Sequence, residues 1–323
     1  MSKSFKILVF LFAVLAIVLI FINLNTGYIA LDWSSFIKTD AENHQIALLR
    51  MNRVLAMLLA GISIPTSGFL LQEYFQNPLA GPSVLGITSA ASLSVAFYIF
   101  FSQNIALPEL LQNSFLSISA ILGSLLLMLI LLEISGRFPD KNMIIIFGFL
   151  ISALAGAVVS ILQLYADNQS LKNYILWSFG ANNQVSSNQI LVLGIFVIFG
   201  IFLSFKTIKP LIGNSLGNAY ATSFGVNLKQ LKLLIIIASS LLSASVTAFL
   251  GPILFIGIVV PHFSRMIYNP AKLWQQWILN MILGIAIMEL FSVISEWSQL
   301  PINVITSLFG IPVILLMLLK NRN

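Results

Sequence analysis

The sequence contains no cysteine, only two histidines and very few charged residues. Without cysteine the chain has no disulfide and no thiolate metal site, and two histidines leave a metal enzyme almost no ligands. Charged residues occupy 8% of the 323 positions, against about 25% in soluble domains. Hydrophobic residues occupy 59%, and the mean hydropathy is +0.99. No soluble core buries that much apolar surface, so the composition predicts a membrane protein.

The few charges are mostly positive, with a net charge of +6 and an isoelectric point near 9.6. The chain has no basic run and no alternation of aromatic and basic residues, which argues against a nucleic-acid partner. We expect instead that Lys and Arg face the cytoplasm beside the lipid bilayer.

Ten apolar runs are long enough to be considered as membrane helices, which need about 20 residues each. Residues 1–323 therefore form a single, all-α transmembrane domain. A signal peptide is the alternative for Ile7–Leu24, but the run lacks a clear small-residue cleavage site and is long for one. Residues 210–228 are rich in Gly, Asn and Ser and are predicted to be a loop with a short helix. The predicted spans are 6–24, 47–71, 83–101, 113–134, 142–165, 188–205, 231–249, 252–268, 275–296 and 303–320.

The distribution of positive charge supports ten spans with both termini cytoplasmic. In that topology twelve of the 16 Lys and Arg residues lie inside and four outside, as the positive-inside rule expects. The four outer residues are Lys38, Arg50, Arg53 and Lys172.

One stretch, FQNPLAGPSVLGITSAA at residues 75–91, interrupts the apolar sequence on the predicted cytoplasmic side. It holds two prolines, two glycines and no charge. Non-helical backbone at membrane depth requires protein or water to satisfy its polar groups. The stretch is either a turn that begins the next helix or a gate at the inner mouth of a pathway, and the residues alone leave both interpretations open.

Three motifs in order resemble the permease subunits of ABC importers for iron-siderophores, haem and vitamin B12. The first runs from Arg50 to Leu93 and contains Arg-x-x-Arg, Asn-Pro-Leu-Ala and Pro-x-x-Leu-Gly. The second is GPILFIGIVVPHFSR at residues 251–265, and the third is QLPINVITSLFGIPVILLMLLK at residues 299–320. Together they extend the resemblance over nearly the whole chain.

The resemblance implies the ten-helix fold of the vitamin B12 importer permeases and a location in the cytoplasmic (inner) membrane. It also implies the partners: a second permease, identical or a sister chain, two cytoplasmic ATPase subunits and an extracytoplasmic substrate-binding protein. The permease itself is not an enzyme and binds no cofactor, since ATP acts at the ATPase. The chain accordingly has no GxxxxGK[ST] phosphate loop. Of the three cargo classes, iron-siderophore is expected first because it is the commonest in the family.

Site residues follow from the same resemblance. The cytoplasmic gate is expected at Asn77, Pro78 and Leu79, with Lys141 and Asn142 on the facing turn. The ATPase-coupling loop, Ser215–Leu228, offers small residues that suit a groove on a partner, although a solvated loop is the alternative. Asn218 stands where the family commonly has an acid. The coupling residues are Ser215, Leu216, Gly217, Ala221, Gly225 and Val226.

Docking of the binding protein is expected at the outer surface. Arg50 and Arg53 lie three residues apart on one helix face, and guanidinium groups pair well with carboxylates. The alternative is that both side chains extend to lipid headgroups. Ser292 replaces a third family arginine, so Glu296 and Trp297 are added to the predicted docking surface.

Two other kinds of membrane protein remain as alternatives. An ion-gradient-driven secondary transporter needs an acidic coupling site near the midplane, and Glu289 is the acid deep in a predicted span. We expect a structural role for it. An intramembrane enzyme would need a Ser–His pair on facing spans, which the sequence does not indicate. His262 belongs to the family motif and is expected to make a helix-end hydrogen bond rather than bind haem or iron.

Overall fold

The structure is a computed structural model that describes residues 3–40, 42–101, 109–137, 141–180, 185–270 and 272–320. Within these ranges the chain forms helices and no strand, as the composition predicts. The helices are α1 (Lys3–Asn25), α2 (Trp33–Ile37), α3 (His44–Phe75), α4 (Ile87–Phe101), α5 (Glu109–Arg137), α6 (Lys141–Tyr165), α7 (Asn168–Ser178), α8 (Ser187–Ser215), α9 (Asn218–Ser223), α10 (Leu228–Leu250), α11 (Ile256–Ile267), α12 (Leu273–Ser298) and α13 (Ile302–Lys320).

Each of the ten predicted runs contains a helix in the described residues, although α4 and α11 begin at Ile87 and Ile256, four residues after the predicted starts of their runs. Seven of these helices are long and apolar enough to cross a membrane, namely α1, α3, α5, α6, α8, α10 and α12. The apolar helices α4, α11 and α13 are shorter. The polytopic all-α architecture is therefore as predicted at this level.

Helix α8 differs from the prediction because it continues to Ser215, ten residues beyond the predicted end of the span. Pro210 lies inside it and lacks the N–H that would bond the Lys206 carbonyl. At 1.5 Å per residue α8 is about 44 Å long, more than the roughly 30 Å hydrocarbon layer. The predicted loop thus begins later, and its short helix is α9.

A short helix, α7, follows α6. It begins at Asp167, whose carboxylate accepts hydrogen bonds from the backbone N–H groups of Gln169 and Ser170 at 2.9 and 3.0 Å. These bonds, that of Ser170 foremost, hold the pKa of Asp167 below its usual value. Trp177 on α7 packs in a cluster with α4 and α10.

Helix α3 is the central element of the fold, and most of its apolar segment is buried. It contacts α1, α8, α10, α11 and α12. Two of these contacts are made by backbone rather than by side chains. Gly61 faces Gly284 of α12, and Gly68 faces Gly257 of α11, each so closely that a Cβ would overlap the opposing backbone. Small residues let helices approach in this way in membranes, where packing rather than the hydrophobic effect drives association.

We expect Gly68→Ala to lower the thermal stability of the purified protein in detergent, because its Cβ would overlap the Gly257 carbonyl. The cost of such overpacking is about 1–3 kcal/mol. Gly156→Ala is the matched control, since a Cβ there meets nothing within 4 Å and alanine favours the helix. Equal melting temperatures for the two variants would contradict the close α3–α11 contact.

Candidate functional site

The broken stretch forms a compact turn between α3 and α4. Helix α3 ends at Gln76, which adopts a left-handed conformation with φ 52°. The Asn77 carboxamide oxygen then accepts the Leu79 N–H at 2.9 Å, and the Asn77 carbonyl accepts the Ala80 N–H at 3.1 Å. This is an Asx-type turn, in which a side chain satisfies backbone that would otherwise be orphaned. We call residues 76–86 the gate loop.

The three predicted gate residues therefore lie together on one turn. Pro78 is exposed, and Asn77 and Leu79 are half-buried. Lys141 and Asn142 begin α6, but their side chains lie outside the described residues, as do residues 138–140. The assignment of a gate to these five positions stays a prediction.

The last turn of α3, immediately before the gate loop, is fastened to α11. Pro261 removes the N–H that would bond the Gly257 carbonyl within α11. The Gln72 side-chain amide donates toward the carbonyls of Gly257 and Ile258, at 3.5 and 3.3 Å. The Gly68–Gly257 approach one turn earlier brings Gln72 within reach.

An ion pair completes this attachment. Arg265 near the end of α11 donates to the Glu73 carboxylate at 2.8 Å and also to the Gln72 carboxamide oxygen. Both partners of the pair are largely buried, at 24% and 19% exposure. This pair is not among the predicted site residues, although both residues lie at the predicted cytoplasmic ends of their spans with opposite charges.

The predicted coupling segment is bracketed by two glycines in conformations that disfavour other residues. Gly217 has φ 106° and Gly225 has φ 79°, and they lie on either side of α9. Ala221 is fully buried in α9, and a Cβ at Gly213 of α8 would lie 3.6 Å from its Cβ. The Val226 N–H bonds the Ala221 carbonyl at 3.0 Å, which closes the turn after α9.

Three large apolar side chains project from this segment. Leu216, Tyr220 and Phe224 are 64%, 51% and 70% exposed, and the two rings lie 4.9 Å apart. They line part of a cavity of about 770 Å³ between α8, α9 and the start of α10. Ser215, also predicted here, donates its hydroxyl to the Ile212 carbonyl of its own helix at 2.7 Å. The segment therefore presents an apolar surface. Exposed apolar patches of this kind are typical of sites that a partner covers.

At the other end of α3, Arg50 and Arg53 point into the protein. They are 5% and 2% exposed. The Arg53 guanidinium pairs with Glu296 at 3.0 Å and donates to the carbonyls of Asn23 and Thr26 at 2.5 and 2.9 Å. Arg50 donates to the Ile29 carbonyl at 2.5 Å. The arginines thus satisfy carbonyls at the end of α1 and after it, and the alternative of side chains extended to lipid headgroups is wrong.

The docking assignment itself stays a prediction, which a single chain does not test. Beside these arginines, Trp297 is 73% exposed and borders a cavity of about 600 Å³ with Phe21 and Tyr28. Glu296, whose side chain is 12% exposed, also lines this cavity. Of the four predicted docking residues, Trp297 is the one that presents its side chain to the outside.

Glu289 is a residue of α12, and its fully buried side chain faces α1. Its carboxylate accepts a hydrogen bond from the Asn23 amide at 2.6 Å, and the Asn23 oxygen accepts one from Ser292 at 3.4 Å. This arrangement links the two helices, as expected for a structural role. Among the described residues no group of three or more His, Cys, Asp and Glu side chains is placed to hold a metal ion.

Comparisons with known proteins identify relatives of this chain. Residues 15–320 match the model of the FecCD transport family. The hemin transport system permease protein HmuU of Yersinia pestis is 31% identical over 319 residues, covering 96% of this chain and 94% of that one. The vitamin B12 import system permease protein BtuC of Photorhabdus laumondii is 31% identical over 280 residues, covering 85% and 82%.

A solved structure described as an inward-facing conformation of a metal-chelate type ABC transporter superposes with a TM-score of 0.82. It is 25% identical in sequence, and the match covers 98% of this chain and 99% of that one. The family match covers almost the entire sequence, and the chain belongs to the FecCD transport family.

Proposed function

We propose that this chain is the membrane-spanning permease subunit of an ABC importer. The observation that carries the proposal is the family match over residues 15–320, together with permease relatives of nearly equal length. The cargo is an iron-siderophore, haem or cobalamin, which are chelated metals. The relatives named for hemin, vitamin B12 and iron chelatin support that class, and iron-siderophore is the first candidate.

The proposed topology has ten spans with both termini in the cytoplasm, in the cytoplasmic (inner) membrane. The ten apolar helices and the uneven distribution of Lys and Arg support it. Helix α3 adds a further argument. Arg53 and Glu73 lie about 30 Å apart along it at 1.5 Å per residue, which equals the thickness of the hydrocarbon core. Its charged residues then lie at the two membrane surfaces.

The proposed assembly contains a second permease, two cytoplasmic ATPase subunits and an extracytoplasmic binding protein. ATP is hydrolysed in the ATPase subunits, so the permease needs no catalytic residue or cofactor of its own. The apolar surface of Leu216, Tyr220 and Phe224 on the cytoplasmic side supports an ATPase contact. Exposed apolar side chains on α6 and α13, such as Phe149 and Phe309, support contact with a second permease or with lipid.

The proposed mechanism assigns one task to each end of the molecule. The binding protein docks on the outer surface at Trp297, with Glu296, Arg50 and Arg53 holding the end of α1 beneath it. ATP-driven movement of the ATPase displaces α9, and the gate loop with Asn77, Pro78 and Leu79 opens the cytoplasmic mouth. Lys141 and Asn142 form the facing side of that mouth.

A secondary transporter is the second candidate, because Glu289 is a carboxylate at membrane depth. Its bond to Asn23 gives that carboxylate a structural partner and weakens the case for ion coupling.

Uptake in proteoliposomes tests the function. We expect the chain, reconstituted with its ATPase and binding protein, to import labelled ferric siderophore, haem or cobalamin. Uptake should occur only when ATP is present on the side of the membrane that carries the ATPase subunits. Uptake without ATP that follows a proton or sodium gradient would contradict the importer and favour coupling through Glu289.

Docking is tested with Trp297→Ala. We expect affinity for the binding protein to fall by about ten-fold or more, because a large aromatic side chain at an interface often dominates its binding energy. Phe205→Ala, which removes another exposed aromatic side chain from a different helix, α8, should leave the affinity unchanged. Equal affinities of the two variants, measured by surface plasmon resonance, would place docking elsewhere.

Coupling is tested with Gly217→Trp. A tryptophan at φ 106° strains the backbone by about 1–3 kcal/mol and adds bulk to the surface proposed to meet the ATPase. We expect ATP-driven uptake to be lost while the protein still elutes as a folded species in detergent. Gly194→Trp, where space is open, is the control. Normal uptake by the Gly217 variant would reject the coupling assignment.

A further inference from the structure

A hydrogen bond joins the coupling segment to the end of α3. The side-chain amide of Asn214, in the last turn of α8, donates to the Tyr74 carbonyl at 3.3 Å. Asn214 is 3% exposed, so this polar group is fully enclosed by protein. Tyr74 lies three residues before Asn77, where the gate loop makes its turn.

The carbonyl at Tyr74 belongs to a helix end where the two preceding carbonyls are satisfied locally. The Gln72 carbonyl accepts the Asn77 N–H at 3.2 Å, and the Glu73 carbonyl accepts the Gln76 side-chain amide at 2.5 Å. The last carbonyls of a helix need such partners because they have none within it. The Tyr74 carbonyl instead accepts a hydrogen bond from Asn214 of α8, so this bond depends on the position of α8 relative to α3.

The backbone of Asn214 is bonded to the turn that leads into α9. Its own backbone carbonyl accepts the Gly217 N–H at 3.2 Å, which forms the turn into α9. The neighbouring Gly213 packs against Ala221 and Val226. Asn214 therefore has its backbone bonded to the coupling segment and its side chain bonded to α3.

The same turn of α3 is also held by α11, through Gln72, Glu73 and Arg265. The residues that lead into the gate loop are thus fixed between two helices. Displacement of α9 would move the α8 contact at Tyr74, while the α11 contact stays in place.

We propose that Asn214 is a positioning residue that transmits the displacement of α9 to the gate loop through the Tyr74 carbonyl. The inference rests on the proposed function and deepens it, since it names the connection between ATPase contact and gate. A purely structural cap on α3 would affect stability without changing the amount of cargo moved per ATP.

The test uses the full assembly in proteoliposomes and measures cargo molecules imported per ATP hydrolysed. Asn214→Asp keeps the size of the side chain but removes the donor, since an ionised carboxylate only accepts. We expect the ratio of cargo imported to ATP hydrolysed to fall about five-fold. The loss of one ordinary hydrogen bond changes an equilibrium constant by about that factor. Asn214→Ala is tested in parallel and carries the experiment if the carboxylate prevents assembly.

Asn52→Ala is the matched control. Asn52 donates to Ser187 at 3.1 Å, so it also joins α3 to α8, but at the opposite end of both helices. Its loss should lower stability by a similar amount and leave the ratio of cargo to ATP unchanged.

A second readout follows the gate loop directly. Because the chain lacks cysteine, Ser83→Cys introduces a single thiol of nearly the same size into the loop. We expect its labelling rate to change with ATP in the parent and in the Asn52 variant, and the change to be about five-fold smaller with Asn214→Asp.

The outcomes separate the two proposals. Absence of ATP-driven uptake by the parent assembly would overturn the proposed function and this inference with it. ATP-driven uptake by the parent, with an unchanged ratio and unchanged labelling in both Asn214 variants, would overturn the inference alone. A reduced ratio in the Asn52 variant as well would also overturn it, because any α3–α8 bond would then suffice.

Discussion

Direct backbone contact between helices is the constraint on which the rest of this structure depends. Gly68 against Gly257 brings α3 to α11, and Gly61 against Gly284 brings it to α12. In a bilayer, helices gain little from hiding apolar side chains, so close packing and satisfied polar groups must hold them together. The contact at Gly68 also sets the position of Gln72 one turn further on, and with it the attachment at the C-terminal end of α3.

The polar groups of the fold follow from the same constraint. Buried amides and guanidiniums are found where helix geometry leaves carbonyls without an internal partner. Gln72 reaches carbonyls near Pro261, Arg53 reaches those at the end of α1, and Asn214 reaches the end of α3. Each of these bonds removes a cost that would otherwise fall on an orphaned group in a dry environment. The residues that satisfy the backbone are therefore also the ones that join helices across the molecule.

Much of the fold could be predicted from the sequence because apolar runs and charge asymmetry are local signals. Each of the ten predicted runs contains a helix in the described residues, and α9 is the short helix expected within residues 210–228. The end of α8 could not be placed, because Pro210 and the Gly- and Asn-rich residues after it suggest a loop, while the structure continues the helix to Ser215. Local preference gives way there to packing against α3 and α10.

The site was predicted less completely, since its residues act through partners distant in sequence. Resemblance pointed to the stretch after α3 and to the segment around α9, whose roles stay predictions. It did not indicate the burial of Arg50 and Arg53, which depends on the path of the chain after α1. Glu73 and Arg265 lie more than 100 positions apart in the sequence, and so do Asn214 and Tyr74. Such pairs become visible only when the helices are assembled, because no spacing along one helix records them.

The exposed side chains in and around α9 have a consequence for how the protein is made. In the proposed topology and assembly, a newly inserted chain displays Leu216, Tyr220 and Phe224 to the cytosol before the ATPase binds. In water such a surface invites self-association and recognition by chaperones and proteases. The lifetime of the unassembled chain would then depend on the supply of ATPase subunits, and the cell could match the amounts of the two components by degrading whichever permease stays uncovered.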